Sequence, residues 1–137
     1  MFYGCTSLTT APDLPATTLA VGCYSYMFYE CTSLTTAPDL PATILATFCY
    51  QLMFYGCSSL IVAPVLPAAT LVTSCYSYMF ESCTSLNSIK IVYTGNYDSG
   101  YFYKWVIGVA SSGTFYYNGS QTAQDFQLPS GWTKSPF

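Results

Sequence analysis

The chain contains no histidine and very little charge: three Lys+Arg and six Asp+Glu in 137 residues, 7% in all, with a net charge of −3. A typical soluble domain carries about 25% charged residues. Without a basic run there is no electrostatic footprint for phosphate neutralisation, so nucleic-acid binding has no support. Without histidine, and with no Cys-x-x-Cys pair, a zinc site has no ligand set. Nucleophilic catalysis would have to draw its base from Lys90, Lys104, Lys134 or a carboxylate, and none of these stands in a recognisable motif. No catalytic residue, metal site or cofactor is expected.

Long hydrophobic runs are also missing. The longest apolar-looking stretch, residues 44–57, is broken by Thr47 and Gln51. It falls short of the ~20 residues of a membrane span, so no transmembrane segment is expected. Met1 runs directly into Phe-Tyr-Gly-Cys, without the basic and apolar regions of a secretory signal. Together with the abrupt start of the repeats described next, this reads as a fragment of a longer protein.

What the chain does have is apolar mass, 52% hydrophobic residues, arranged with a strict period. Met1, Met27, Met53 and Met79 lie 26 apart, as do Cys5, Cys31, Cys57 and Cys83. Three complete copies can be written: MFYGCTSLTTAPDLPATTLAVGCYSY, MFYECTSLTTAPDLPATILATFCYQL and MFYGCSSLIVAPVLPAATLVTSCYSY. A fourth opens as MFESCTSL and departs. A unit this short cannot bury its apolar face alone. Stacking on its neighbours puts equivalent residues into columns, so Leu8, Leu34 and Leu60 should share one interior column.

Within each copy, the segment from Leu8, Leu34 or Leu60 through the paired prolines is the candidate extended part. Proline fixes φ and disfavours helix in the residue before it. Because prolines also lack the amide donor, strands of only three or four residues are expected. The other half, residues 18–29 in the first copy, is free of proline and predicts a short helix or 3₁₀ turns. It leads to a turn at Gly4, Glu30 and Gly56.

Beyond Asn87 the period is lost and Tyr, Gly and Ser rise, as in a terminal unit that covers a last apolar rung. Residues 88–93 alternate as a strand does, and 101–109 and 114–117 read as further strands split by a turn at Ser111-Ser112-Gly113. Asn118-Gly119 and residues 128–132 signal further turns, which predicts a hairpin or small mixed sheet with Trp105 and Trp132 plugging the core. The expected division is 1–86 for the repeats and 87–137 for a β-rich cap.

The MF-x-x-C-x-S-L core recurring four times, with the APDLPATTL and CYSY segments, resembles the BspA-like leucine-rich repeats of bacterial surface proteins over residues 1–86. WVIGVASSGTFYYNGS followed by LPSGWT is similar to the segment that closes such arrays in surface proteins of the gut Bacteroidetes type. The resemblance implies a right-handed leucine-rich-repeat solenoid with short parallel strands, located extracellularly or at a cell surface, with adhesive or host-interaction roles and a protein or glycan ligand.

Seven cysteines in an exported protein invite disulfides. Stacked equivalents, however, point their side chains the same way at about one strand spacing, which suits buried free thiols better than bridges. Asp13 and Asp39 are equivalent residues in successive repeats and could be neighbours on the strand-bearing side. Val65 ends that row, and a solvated face explains it more simply than acid/base or calcium chemistry. The 14 tyrosines are the main recognition candidates. Tyr24, Tyr50 and Tyr76 recur with the period and read as core, whereas Tyr97, Tyr101, Tyr103, Tyr116 and Tyr117 are non-periodic and, with Asp13 and Asp39, could contact a partner. A non-enzymatic binding module is the expected function. The alternative is a self-assembling structural protein that associates through an uncovered first rung.

Overall fold

A computed structural model describes residues 1–119 and 126–137. Its backbone is a ladder in which the amide of one repeat donates to a carbonyl of the next, 25 residues on. Phe2 N reaches Met27 O at 3.0 Å, Phe28 N reaches Met53 O at 2.9 Å, Phe54 N reaches Met79 O at 3.0 Å, and Phe80 N reaches Trp105 O at 2.8 Å. This is parallel pairing between successive coils, the arrangement that lets like residues stack.

The proline-bearing segments pair more sparsely than the expected strands of three or four residues. They form isolated parallel bridges, Thr10 with Thr36, Thr18 with Ile44, Val62 with Ser88 and Leu66 with Ile91. Two prolines per copy remove the donors that would lengthen a strand. The proline-free half forms no helix; it is a run of separate turns closed by i→i−3 bonds, such as Cys23 N to Ala20 O and Met27 N to Tyr24 O at 3.2 Å, so of the expected alternatives the turns are found and the helix is not. The cause is a left-handed residue every fourth position, at Gly22, Tyr26 and Glu30 across the junction of the first and second copies and at Phe48, Leu52 and Gly56 across the next junction, with φ between 54° and 70°. Each one redirects the chain before a helical i→i−4 bond can close.

The ladder does not stop where the side-chain repeat fades. Tyr76 N donates to Tyr101 O, Tyr78 N to Tyr103 O and Ser82 N to Ile107 O, at 3.1, 2.8 and 2.7 Å. This corrects the strand expected at 101–109. These residues form a one-turn helix α1, Ser99–Phe102, capped by Asp98, and then turns that mirror those of the preceding coil. Strand β1, Ser88–Lys90, precedes α1; β2, Ser112–Tyr117, and β3, Gly131–Pro136, follow it. Their order is β1-β2-β3 and all pairing is parallel. Among the described residues there is therefore neither the expected hairpin nor a mixed sheet, and Ser112 and Gly113 lie within β2 rather than in a turn. Parallel neighbours need a crossover connection and cannot be joined by a two-residue turn.

The interior is columnar. Phe2, Phe28, Phe54 and Phe80 stack with centroids 5.5, 5.5 and 5.7 Å apart, and the column ends on Trp105 at 6.3 Å. Tyr24, Tyr50 and Tyr76 stack at 6.0 Å steps and end on Phe102. Leu34, Leu60 and Leu86 are fully buried, and Leu8 is partly buried against the same core. Trp105 and Trp132 are both buried, their indole N–H groups donating to the carbonyls of Phe126 and Ala110 at 2.8 and 2.7 Å. All seven cysteines are free thiols.

Candidate functional site

Each coil offers the outside two kinds of side chain at fixed positions, and stacking turns each kind into a row. The proline segment exposes Thr9, Thr10 and Asp13 in the first repeat and Thr35, Thr36 and Asp39 in the second. Asp13 and Asp39 line one open hollow of 350 Å³ with Leu14, Pro15 and Pro41. The two carboxylates are thus neighbours on the bridge-forming side. Asp39 also borders a second hollow of 280 Å³ with Val65 and Pro67, and a third of 360 Å³ with Thr35, Thr36, Val62 and Pro64. Rigid prolines shape the rims of all three, so the hollows are fixed by backbone rather than by flexible side chains.

A second row was not singled out by sequence reasoning. Tyr3, Tyr29 and Tyr55 stack with centroids 4.6 and 4.7 Å apart and planes within 5°, and Tyr26 leans against Tyr29 at 5.7 Å. The row's signal is the 26-residue spacing of Tyr3, Tyr29 and Tyr55. Burial, the Glu30 carboxylate and the surrounding phenols push the Tyr29 hydroxyl above the usual phenol range. Beside this row lies an open groove of 520 Å³ bordered by Glu30, Tyr55, Thr6, Thr32 and Ser58. Aromatic edges, hydroxyls and one carboxylate make it a hydrogen-bonding surface.

The tyrosines expected to contact a partner are not gathered into one site. Tyr97 is half-buried against Phe102 and Phe126, at 6.1 and 6.2 Å. Tyr101 is also half-buried, edge-on to Tyr93 at 6.2 Å. Tyr103 is exposed, edge-on to Tyr78 at 5.3 Å with the Lys104 ammonium 5.6 Å from its ring centre. Tyr116 is exposed on β2, level with Lys90 of β1, while Tyr117 packs partly into the core. Only Tyr116 shares the sheet side that continues from the Asp13 and Asp39 row.

No group of three or more Cys, Asp or Glu side chains that could hold a metal occurs among the described residues. The deeper thiols are held protonated by burial: Cys49 is pushed up to about 11, and Cys57 and Cys75 to about 12. They are poor nucleophiles. No helix among the described residues is long and apolar enough to cross a membrane.

These features define a repeat protein whose copies pair in parallel and present rows of like side chains. The family model for the BspA type leucine-rich repeat region, in six copies, matches residues 1–107, and the chain belongs to that family. The matched span takes in the coil from Tyr101 to Ile107, whose carbonyls still accept from the preceding coil. Repeats of this family typically serve protein binding or surface roles rather than catalysis, and the BspA type is typically surface-associated in bacteria. Comparison with curated proteins gives no match, and neither does comparison with solved structures.

Proposed function

We propose that the chain is a non-enzymatic binding module: a right-handed solenoid that presents its outer rows to protein or glycan partners outside the cell or at a cell surface. The observation that carries this reading is the set of three open hollows that share Asp39, all rimmed by proline and one also by Thr35 and Thr36. A rigid, repeated surface binds by shape complementarity and loses little conformational entropy on contact. The tyrosine row and the exposed Tyr103 and Tyr116 add amphipathic contact area.

The test is an array of glycans and extracellular-matrix proteins probed with the full chain, and with the Asp39→Asn, Tyr55→Ala and Tyr116→Ala variants. Saturable binding weakened by at least one of these changes supports the reading. Absence of binding above background across the array counts against it.

Self-association is a second reading, favoured by one observation: among the described residues β3 pairs on one side only and so leaves a sheet edge. Lys134 and Pro136 on that strand oppose edge pairing. Light scattering at micromolar concentration separates the two, because a monomer that binds array targets supports the first.

A further inference from the structure

The outer face changes chemistry at the third repeat. Where repeats one and two place Thr9 and Thr35, Thr10 and Thr36, Asp13 and Asp39, the third has Ile61, Val62 and Val65, which are 50, 56 and 46% exposed. Nothing in folding asks for this, since threonine and aspartate occupy the same backbone positions one and two coils earlier. In a chain with so few charges, three exposed aliphatic side chains also cost solubility.

The neighbours make the exchange more informative. Thr10 bridges Thr36, Thr36 and Val62 line one hollow, Val62 bridges Ser88, and β1 and β2 carry the row on through Thr114 to Thr133. Val62 is the one side chain of that row without a hydroxyl. In the adjacent row Asp13 is followed by Asp39 and then by Val65. Lys90 stands level with Val65, because the next residues, Leu66 and Ile91, are bridge partners. The face therefore runs from anionic through aliphatic to cationic along the stack.

Coils one strand spacing apart, ~4.8 Å, put Asp39 and Lys90 roughly 10 Å from each other, too far for an ion pair and spanned by about three residues of extended chain. The other lysines, Lys104 and Lys134, also lie beyond the third repeat. The Lys90 ammonium rests 4.1 Å from the centre of the Phe137 ring, which leaves its charge unneutralised.

We propose that this face binds an extended segment of another protein laid across the coils, with Lys or Arg facing Asp13 and Asp39, aliphatic residues on Val62 and Val65, and Asp or Glu facing Lys90. The proposal rests on the binding-module reading and narrows its partner to a protein. A neutral or acidic glycan offers no cation to the two carboxylates and no aliphatic side chain to the valines. The hollow bounded by Asp39, Val62 and Val65 is where the aliphatic part seats.

The test is titration of the full chain, isotopically labelled at Ile and Val methyls, with a capped ten-residue peptide centred on Lys-Ser-Val-Ser-Glu, in which the cation, the aliphatic side chain and the anion share one face of an extended chain. Peptides centred on Glu-Ser-Val-Ser-Glu, Lys-Ser-Val-Ser-Lys and Lys-Ser-Ser-Ser-Glu serve as controls. The expected result is methyl shifts confined to Ile61, Val62, Val65 and their neighbours, with the first peptide binding roughly tenfold more tightly than any control. The Ile61→Thr/Val62→Thr/Val65→Asp variant installs the residues of repeat two, so its fold is secured by precedent within the chain, and an unchanged melting curve confirms that. It should lose about tenfold in affinity. Equal affinity for all four peptides, or unchanged affinity in the variant, overturns the proposal. So does light scattering that shows a dimer abolished by the same three substitutions, because the occupant is then a second copy. Array binding that survives while the peptides fail sinks this inference alone, whereas failure of both removes the binding-module reading as well.

Discussion

The Sγ of Cys83 donates a 2.9 Å hydrogen bond to the carbonyl oxygen of Phe54. The same bond joins Cys57 to Phe28 at 3.1 Å and Cys31 to Phe2 at 2.8 Å. Each thiol is thus a buried donor that satisfies a carbonyl of the preceding coil, which is why the cysteines stack without pairing. Cys57→Ala should remove that donor and leave a small cavity, at about 1–3 kcal/mol of stability. In the native chain the exposed Cys23 should react with a thiol reagent first. Cys49, Cys57, Cys75 and Cys83 should react only on unfolding. A count of seven thiols in denaturant and far fewer in buffer confirms this; fewer than seven in denaturant would mean disulfides.

Alkali should destabilise the chain well before its tyrosines ionise in water. An unfolded thiol ionises at about 8.5, whereas burial holds Cys49 protonated to about 11 and Cys57 and Cys75 to about 12. The folded-state values are raised, so this stability is fully present below pH ~8.5. It is lost as pH climbs toward the native values, at about 2 kcal/mol per thiol by pH ~10. Melting temperature measured from pH 7 to 10.5 should be flat and then fall above about pH 8.5. In Cys57→Ala the fall should be shallower by one thiol's share. A flat profile to pH 10.5 contradicts the argument.

Glu30 occupies a backbone position with φ of 54°, where its counterparts Gly4 and Gly56 have 66° and 70°. A side chain there is strained by roughly 1 kcal/mol, which glycine relieves. Glu30→Gly should therefore raise the melting temperature, and Gly56→Ala should lower it. In the latter case the new Cβ would also come within 3.1 Å of the Glu30 Cγ. Differential scanning calorimetry on the two variants checks both signs.

The period, the columns of Leu and Phe, and the free thiols were legible because they follow from one rule, that residue i meets residue i+26 on the next coil. The turn at Gly4, Glu30 and Gly56 was legible too, since two of its three residues are glycine. The left-handed positions at Tyr26, Leu52 and Tyr78, or at Phe48 and Ser74, were not. Their side chains give no hint of a positive φ, so a proline-free apolar segment read as helical. The coil from Tyr101 to Ile107 was missed for a related reason. The inter-coil backbone pairing persists there without the MF-x-x-C signature, because backbone ladders constrain geometry more than identity. At the candidate site, the neighbourhood of Asp13 and Asp39 was legible. The exposure of Ile61, Val62 and Val65 was not, because aliphatic residues in a repeat read by default as core.

A stack also predicts how truncations grade along it. Phe54 is fully buried with Phe28 and Phe80 against its two faces at 5.5 and 5.7 Å, whereas Phe2 is only partly buried and stacks on Phe28 alone. Phe54→Ala should cost about 3–5 kcal/mol, since two neighbouring rings lose their packing surface and the cavity is closed off by coils on each side. Phe2→Ala should cost about half of that or less, because the missing ring can be replaced by solvent. Chemical denaturation read through the buried Trp105 and Trp132 gives both values. If neighbouring coils are coupled as in a one-dimensional array, Phe54→Ala should also broaden the transition, while Phe2→Ala shifts the midpoint with little change of slope. Equal costs at the two positions would mean that the coils do not act as a coupled stack.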